Sequence, residues 1–316
     1  WQERVLLLLL LLNNKLHSRL FVRFRWMSDF FRKPYSHPRP FSIRIGSRLL
    51  DLSRPKVMGI LNLSQDSFYS GSRIPDSTQL MQAAGKMLEK GAAILDLGGM
   101  SSRPGAIEIT TDEEIQHLIP AIKNIRKEFP DAVLSIDTYR PEVAGAVLSE
   151  GADLINDIRC GSNPALLQLL AEQSVPYIIM HSRGSFSSMH KTQSYSHLVT
   201  DVLSELQNAI KSAQEAGVRD VIADPGFGFS KNVDQNFELF ASLEEFSMLD
   251  CPLLVGISRK SMIYKTLDCS ADEALNGTTA LHMAALQKGA HILRVHDVKE
   301  AVQTITLFEK LCLPES

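Results

Sequence analysis

Charged side chains of both signs stand directly after short apolar runs at several points of this sequence. Asp224 follows one such run, Lys260 follows the next, and Arg294 and His296 end the last one. Arginine binds phosphate oxygens, and carboxylates accept hydrogen bonds from nitrogen heterocycles. These residue types therefore indicate a site for a charged, nitrogen-rich small molecule, provided that the fold brings them together.

The same feature recurs along the chain, and it divides the candidate residues into two sets. The set expected to bind a phosphate or diphosphate comprises Asn62, Ser102, Arg103, Arg294 and His296. The set expected to bind a flat heterocycle comprises Asp137, Asn156, Asp224 and Lys260, with apolar walls from Phe68, Met180, Phe227 and Phe229. For His181 we expect a structural or solvent-facing role.

Eight short apolar runs alternate with longer amphipathic segments and predict the elements that position these residues. The runs are 57–61, 93–97, 133–136, 153–155, 177–180, 220–223, 253–257 and 291–295. Most are rich in Val, Ile and Leu without strict alternation, as in strands buried on both faces. Eight strand–helix units predict an α/β fold, a (β/α)₈ barrel whose polar site lies at the carboxyl ends of the strands. A doubly wound open sheet is the alternative, although no G-x-G-x-x-G follows the first run.

Several local features complete this prediction. Residues 43–45 and 48–50 flank Gly46 and predict a short hairpin before the barrel. Thr111 followed by Glu114 predicts a capping box for a helix that ends near residue 128. A second helix is predicted over 271–288. We expect the run Arg126-Lys127-Glu128 to lie on a solvated helix face and Asp297 to cap the last helix.

Length, charge and cysteine spacing restrict the class of protein. With 316 residues, 44% of them hydrophobic, the chain can bury a large core. Its net charge of -3 gives no reason to expect nucleic acid or an anionic membrane as a partner. The cysteines lack C-x-x-C spacing, so we expect reduced thiols in a cytoplasmic protein.

The first 42 residues differ in character from the rest. The apolar run 5–12 is far below the ~20 residues that span a bilayer, and no small-residue cleavage site follows it. The chain opens with Trp1 and its first methionine is Met27, so we expect residues 1–26 to be an upstream extension. A genuine targeting segment is the alternative. We expect an irregular extension over 1–42 and one barrel domain over 43–316.

Seven stretches together resemble the dihydropteroate synthase family, pterin-binding barrel enzymes of folate synthesis. In that family's order they are GILNLSQDSF (59–68), GGMSSRPGA (98–106), SIDT (135–138), IND (155–157), DPGFGF (224–229), GISRKSM (256–262) and RVHDV (294–298). The resemblance covers roughly residues 57–310. It implies the condensation of 6-hydroxymethyl-7,8-dihydropterin diphosphate with p-aminobenzoate, which gives 7,8-dihydropteroate and diphosphate.

The resemblance also implies a role for each matched residue. Catalytic roles fall to Asp137, Lys260, Arg294 and His296. The pterin site comprises Asp137, Asn156, Met180, Asp224, Phe229 and Lys260. The diphosphate site comprises Asn62, Ser102, Arg294 and His296, with Mg²⁺ as cofactor and Asn62 as its ligand. The aminobenzoate site comprises Phe68, Ser102, Arg103, Pro104, Phe229, Lys260 and Ser261. A homodimer through the helix 271–288 is implied as well.

Several loops depart from the family pattern, and the departures cluster around the expected aminobenzoate site. Ser64-Gln65 stands where Thr-Pro is usual, the loop 181–189 lacks the usual Met and Pro, and Ser230 replaces a Gly before Lys231. Since sulfonamides mimic aminobenzoate, we expect altered sulfonamide affinity, in the direction of reduced sensitivity and antibiotic resistance.

Two other functions stay open at this point. Methyltransferases that use methyltetrahydrofolate and a corrinoid resemble the same barrel, but they have no use for a diphosphate pocket. A catalytically silent pterin-binding relative is supported only by the altered loops, and the retained pterin and diphosphate residues oppose it.

Overall fold

Parallel strands and the helices that connect them form a barrel, as the alternating pattern predicts. A computed structural model describes residues 37–63, 77–100, 108–186, 188–189 and 191–312. Its strands are β1 Ser42–Ile45, β2 Arg48–Asp51, β3 Lys56–Asn62, β4 Ile94–Gly98, β5 Val133–Asp137, β6 Leu154–Asp157, β7 Tyr177–Met180, β8 Val221–Asp224, β9 Leu254–Val255 and β10 Ile292–Val295. The predicted domain limits stay predictions, because residues 1–36 and 313–316 lie outside the described ranges.

The sheet closes on itself. Strands β3 to β8 pair with their chain neighbours in parallel, β3 also pairs with β10, and β10 pairs with β9. A single parallel bridge between Ala223 and Leu253 joins β8 to β9 and completes the ring. The predicted (β/α)₈ architecture is therefore confirmed, and the open-sheet alternative is wrong. Strand β9 is shorter than predicted, because the chain turns at Ile257, whose carbonyl accepts a hydrogen bond from the Lys260 N–H at 3.1 Å.

The predicted hairpin forms and covers the amino-terminal end of the barrel. Strands β1 and β2 are antiparallel, and Ile43 and Ile45 are buried while their neighbours are exposed. These two side chains pack in one cluster with Met58, Ile94, Leu254 and equivalent residues of other barrel strands. Burial of this apolar layer closes one end of the barrel and leaves the carboxyl ends of the strands as the open end.

Helices surround the strands. They are α1 Ser77–Glu89, α2 Thr111–Glu128, α3 Pro141–Ser149, α4 Pro164–Gln173, α5 Leu198–Ala216, α6 Val233–Ala241, α7 Ser261–Thr266, α8 Leu275–Gln287 and α9 Val298–Leu311. Their ends follow local rules: α3 and α4 begin with proline, and α5 ends at Gly217 with φ +104°. No helix in the described ranges is both long and apolar enough to cross a bilayer.

The capping box of α2 lies one residue earlier than predicted. Thr110 is the N-cap, its hydroxyl accepts from the Glu113 N–H, and Glu113 accepts from the Thr110 N–H at 2.8 Å. Glu114, the predicted partner, is buried and binds Arg140 at 2.9 Å. The capping box moves by one residue because the Glu114 side chain is buried against the barrel. Glu113 is then the glutamate that can reach the N–H of the N-cap residue.

Two further expectations about helices need correction. In the run 126–128, Lys127 and Glu128 are exposed as expected, but Arg126 is only partly exposed: it donates to the Gly151 carbonyl at 2.7 Å and pairs with Asp153. Helix α8 begins at Leu275 and not at Ala271, since Arg259 binds the carbonyls of Ala271 and Asp272 at 2.9 and 2.6 Å. Residues 271–274 form turns instead, in which the Ala271 carbonyl also accepts from the Ala274 N–H at 3.3 Å.

Candidate active site

The polar residues of the site form one layer inside the barrel. The apolar layer beneath it includes Ile94, Leu154, Ile222 and Ile292. Side chains on one face of a strand recur every two residues, so the next layer follows from the sequence. That layer comprises Asp96, Asn156, Asp224 and Arg294. Inward-facing side chains change from apolar to polar within two residues along these strands. The charged groups therefore lie directly above the apolar layer.

Arg294 is the centre of this layer. Its Nε donates to Asp96 Oδ2 at 2.7 Å, and its Nη2 lies 2.6 Å from the same oxygen and 3.0 Å from Asp137 Oδ2. Asp96 is completely buried, and the Arg294 side chain is 16% exposed. Burial lowers the pKa of Arg294, but Asp96 and Asp137 outweigh it and raise the pKa above its usual value. The guanidinium is therefore held as a cation with a fixed orientation.

Asp96 also orders the neighbouring strands. Ser135 donates to its Oδ1 at 2.5 Å, and the Asn156 side chain donates to its Oδ2 at 3.2 Å. The Asn156 amide oxygen is buried and has no hydrogen-bond partner among the described residues. An unpartnered buried acceptor is costly unless a ligand supplies a donor. This oxygen is thus a candidate contact for an N–H group of a bound molecule.

A second carboxylate and a lysine stand on the opposite side of the layer. Asp224 is 3% exposed, and its Oδ1 accepts from the Gly226 N–H at 2.8 Å. Lys260 donates from Nζ to the Phe227 carbonyl, and its ammonium lies 4.7 Å from the centre of the Phe229 ring. Gly256 keeps the space between them open: a Cβ there would lie 3.8 Å from both Asp224 Oδ2 and Lys260 Nζ.

Burial perturbs the titration of these groups. It raises the pKa of Asp137 to about 7, although Arg294 opposes the shift. It lowers the pKa of Lys260 to about 8, with Asp224 opposing, and it raises the pKa of Asp224. Each shift shows that the surroundings solvate the charged form poorly. Such groups clustered in one polar site are typical of binding or catalysis.

Lys260 reaches the site because the preceding residue is fixed outside it. Arg259 adopts a left-handed φ of +55°, and its guanidinium binds both Asp297 oxygens, at 2.7 and 2.9 Å. Asp297 stands at the expected N-cap position of α9, where its carbonyl accepts from the Ala301 N–H at 3.1 Å, while its side chain binds Arg259. Ser261, the residue after Lys260, begins α7 and is partly exposed.

Asn62 and His296 lie at the open end of the barrel. Asn62 ends β3 in register with Gly98, which is in register with Asp137. A Cβ on Gly98 would lie 3.5 Å from the Asn62 amide oxygen. His296 is exposed, and its Nδ1 lies 3.1 Å from the Ser258 hydroxyl. Both residues are placed where a ligand entering from solvent would meet them first.

An apolar wall borders the polar layer. Met180 and Phe229 are 4% and 7% exposed and pack together with Ile158, Phe186 and Met189. Asp224 and Met180 are in register on neighbouring strands, so this wall adjoins the Asp224 side of the layer. Phe227, predicted as a wall residue, is instead completely buried against Phe240. Its carbonyl, and not its ring, faces Lys260.

The structure thus brings together most of the predicted site residues, while their individual roles stay predictions. Asn156, Asp224 and Arg294 belong to the polar layer, Asp137 contacts Arg294, and Lys260 borders the gap at Gly256. Asn62, His296 and Ser261 lie at the rim. Phe68, Ser102, Arg103 and Pro104 lie outside the described residues. His181 is completely buried, so the solvent-facing interpretation is wrong and the structural one is favoured.

Two residues of the site were missed by the sequence interpretation. Asp96 interrupts the apolar run 93–97, and a lone charge inside a buried strand is a signal that could have identified it. Lys231 is only 6% exposed, and its ammonium binds main-chain carbonyls. Carbonyl contacts of this kind have no sequence signature.

Comparison with known proteins agrees with this geometry. The family described as pterin binding enzyme matches residues 58–296. Dihydropteroate synthase from Escherichia coli (strain K12) is 41% identical over 262 residues, which cover 82% of this chain and 93% of the relative.

Solved structures agree as well. The Yersinia pestis dihydropteroate synthase in a sulfonamide drug complex is 39% identical, with a TM-score of 0.80 over 85% of this chain and 98% of that one. The Xanthomonas albilineans dihydropteroate synthase with 4-aminobenzoic acid is 34% identical, with a TM-score of 0.80 over 87% and 98% of the two chains. The chain therefore belongs to the pterin-binding enzyme family and, within it, to the dihydropteroate synthases.

Proposed function

We propose that the protein condenses 6-hydroxymethyl-7,8-dihydropterin diphosphate with p-aminobenzoate to give 7,8-dihydropteroate and diphosphate. The observation that carries this proposal is the polar layer, in which open acceptors and two cations surround the gap at Gly256. Family membership and the named relatives support the same reaction.

The layer suits the pterin ring. Asp224 Oδ1 is bonded to Gly226, while Oδ2 borders the gap at Gly256. A carboxylate there accepts hydrogen bonds from an aminopyrimidine edge, and the free Asn156 oxygen accepts another. Lys260 donates to a ring oxygen or nitrogen, and Met180 and Phe229 supply the apolar side. The mixed polarity of these groups fits one nitrogen heterocycle.

Arg294, His296 and Asn62 supply the diphosphate end. Among the described residues, Arg294 contacts Asp96 and Asp137 through Nε and Nη2. Its Nη1 is therefore left to bind a phosphate oxygen. As the carbon–oxygen bond to diphosphate breaks, negative charge moves onto that group, and Arg294 stabilises it. The positive charge that develops on the pterin methylene lies on the Asp137 side of the layer.

The second substrate then forms the new carbon–nitrogen bond. A neutral aromatic amine is a nucleophile and loses its proton after attack, so the step needs no strong base in the site. The aminobenzoate contacts proposed within the described chain are Phe229, Lys260 and Ser261. The remaining ones, Phe68, Ser102, Arg103 and Pro104, lie outside the described residues.

Mg²⁺ fits the donor set as a metal carried with the diphosphate. Among the described residues no group of three or more His, Cys, Asp or Glu side chains is arranged to hold a metal ion. Mg²⁺ commonly binds substrate phosphates, waters and only one or two protein oxygens. The Asn62 amide oxygen at the rim would supply one such oxygen. Bound there, Mg²⁺ would neutralise part of the diphosphate charge.

Two alternatives are less well supported. A methyltransferase has no role for Arg294 and His296 at the open end. A silent pterin binder would retain the Asp224 and Asn156 contacts but release no diphosphate, so the assay below separates it from a synthase.

The assay is p-aminobenzoate-dependent diphosphate release with Mg²⁺ present and dihydropteroate identified by mass. We expect turnover in the unaltered chain and a loss of about 100-fold or more in Arg294→Ala, as for removal of a charge-stabilising donor. Arg126→Ala, which removes an arginine at the other end of the barrel, is the control and should keep its turnover. Pterin binding without any product would instead identify a silent relative.

The same assay tests the sulfonamide prediction. Sulfamethoxazole should inhibit this protein less than it inhibits the Escherichia coli relative, because the loop 181–189 and Ser230 differ from the family pattern. Identical inhibition of the two proteins would contradict this.

A homodimer through α8 stays a proposal. Ala280 is exposed and Leu281, Met283 and Ala284 are partly exposed, as a contact surface requires, whereas Leu286 is completely buried within this chain. Sedimentation equilibrium measures the oligomeric state directly.

A further inference from the structure

The loop after β8, residues 225–230, contacts three groups of the proposed pterin site. The Gly226 N–H donates to Asp224, the Phe227 carbonyl accepts from Lys260, and the Phe229 ring lies beside the Lys260 ammonium. Two of these contacts are made by main-chain atoms. Their geometry therefore depends on the path of the loop backbone rather than on side-chain identity.

That path is an unusual one. Gly226, Gly228 and Ser230 all have positive φ, at +71°, +81° and +57°. A non-glycine residue in this region is strained and persists only where its surroundings fix it. Here the Ser230 hydroxyl accepts from the Arg183 N–H at 2.7 Å and donates to the Arg183 carbonyl at 2.9 Å.

Lys231 draws the carbonyls of this loop together. Its Nζ lies 3.1 Å from the carbonyl oxygens of Pro225, Gly226 and Phe229. Three carbonyl dipoles that converge on one point repel each other unless a cation lies between them. The side chain is buried, which lowers the pKa of Lys231 to about 7 while Asp224 opposes the shift, so the ammonium form that holds the carbonyls prevails below about pH 7.

His181 supplies a fourth contact and joins the loop to β7. Its Nδ1 lies 3.1 Å from Lys231 Nζ, and its Nε2 lies 3.0 Å from a Glu205 oxygen. Because the ammonium and the carboxylate set these roles, Nδ1 accepts and Nε2 carries the proton. Burial lowers the pKa of His181 to about 4, so this neutral tautomer prevails near neutral pH.

We propose that Lys231 is a positioning residue: its ammonium fixes the loop after β8 and thereby places Lys260 and Phe229 for the pterin ring. The link from Lys231 to the loop follows from the contacts above, and the link from the loop to the pterin rests on the proposed function. Lys231 binds the Pro225, Gly226 and Phe229 carbonyls, whereas Lys260 binds the Phe227 carbonyl of the same loop.

Arg126 provides a matched control for stability. It too binds three main-chain carbonyls, those of Pro130, Ala132 and Gly151, and it pairs with Asp153. Those carbonyls precede β5 and β6, at the end of the barrel opposite the site. Loss of Arg126 should therefore lower the melting temperature without altering the loop after β8.

The experiment compares Lys231→Met, Arg126→Met and the unaltered chain below their melting temperatures. Titration calorimetry with 6-hydroxymethylpterin should show a dissociation constant raised about tenfold or more in Lys231→Met and unchanged in Arg126→Met. An equal affinity in the two variants would overturn the proposal.

A second readout does not depend on pterin binding. Reductive methylation with formaldehyde, read by mass spectrometry at Lys260, should proceed faster in Lys231→Met than in the other two chains, because Lys260 loses its fixed acceptor. Unchanged labelling of Lys260 would refute the link between Lys231 and the loop. If Lys260 is labelled faster in Lys231→Met but the unaltered chain binds no pterin, the link between Lys231 and the loop holds and the proposed function is rejected.

If Lys231→Met does not fold, substitutions of His181 test the same set of contacts around Lys231 Nζ. His181→Asn retains an acceptor near the Nδ1 position, whereas His181→Gln retains only the contact with Glu205. We expect faster Lys260 labelling in His181→Gln than in His181→Asn. The opposite order would contradict the role of Lys231, since it would place the effect at Glu205.

Discussion

At the scale of single residues, Asp96 determines the geometry of the polar layer. It is completely buried and contacts Ser135, Asn156 and Arg294, so one carboxylate orders three side chains from different strands. Breaking a buried pair by altering one partner leaves the other poorly compensated. Asp96 is therefore as important to the orientation of Arg294 as Asp137 is.

We predict that Asp96→Asn lowers kcat/KM about 10- to 100-fold. The amide keeps the shape of the side chain but presents a weaker partner to Arg294, at an expected loss of about 1–3 kcal/mol. Asp153→Asn is the control, because Asp153 pairs with Arg126 away from the site. Steady-state kinetics and melting temperatures of both variants provide the measurement. A kcat/KM in Asp96→Asn equal to that of Asp153→Asn would show that the prediction is wrong.

At the scale of elements, the loops after β7 and β8 act as one unit. The Lys231–His181 contact and the exchange of hydrogen bonds between Ser230 and Arg183 join them. Gly226 allows their closest approach: a Cβ there would lie 1.9 Å from the His181 carbonyl oxygen. The unit therefore depends on a residue without a side chain as well as on polar contacts.

Gly226→Ala should accordingly destabilise the protein more than Gly289→Ala. Both glycines have positive φ, but a Cβ on Gly289 would meet nothing within 4 Å. Gly289→Ala carries only the backbone strain of about 1–2 kcal/mol. Gly226→Ala adds a collision with main chain, for a total of about 3 kcal/mol or more. Urea unfolding gives both free energies, and equal values would contradict the collision argument.

At the scale of the whole molecule, buried histidines make stability depend on pH. Burial lowers the pKa of His181 and of His282 to about 4, and it lowers that of His291. At these histidines the unfolded chain takes up protons at a higher pH than the folded one, so their contribution to stability is full above about pH 6.5 and falls as the pH drops toward 4. The buried carboxylates Asp137 and Asp224, whose pKa values are raised, contribute with the opposite sign, so the histidine contribution is isolated by substitution.

His282 offers a direct test, because its Nε2 is buried without a hydrogen-bond partner among the described residues. We predict that His282→Leu reduces the stability lost between about pH 7 and about pH 4 by about 3 kcal/mol. His197→Leu, at an exposed histidine, is the control and should not alter the loss. Urea unfolding at the two pH values measures it. An unchanged loss in His282→Leu would refute the contribution of this group.

The fold was largely predictable because its strands are short, apolar and separated by amphipathic segments. Errors arose where a tertiary contact overrides a local pattern. Arg259 takes the carbonyls that would start α8 four residues earlier, and Glu114 faces Arg140 instead of capping α2. Neither contact is encoded within the segment that it alters, so no local pattern reveals it.

The sequence by itself determined which residues reach the open end of the barrel, since parallel strands all end on one side and polar groups stand where the apolar runs stop. Only the tertiary structure decided how those residues pair. Arg294 meets Asp96 from 198 positions away, and Lys231 meets His181 from 50. Side chains pair across a closed barrel according to strand register and the positions of backbone carbonyls. Neither can be inferred from the type of a single residue.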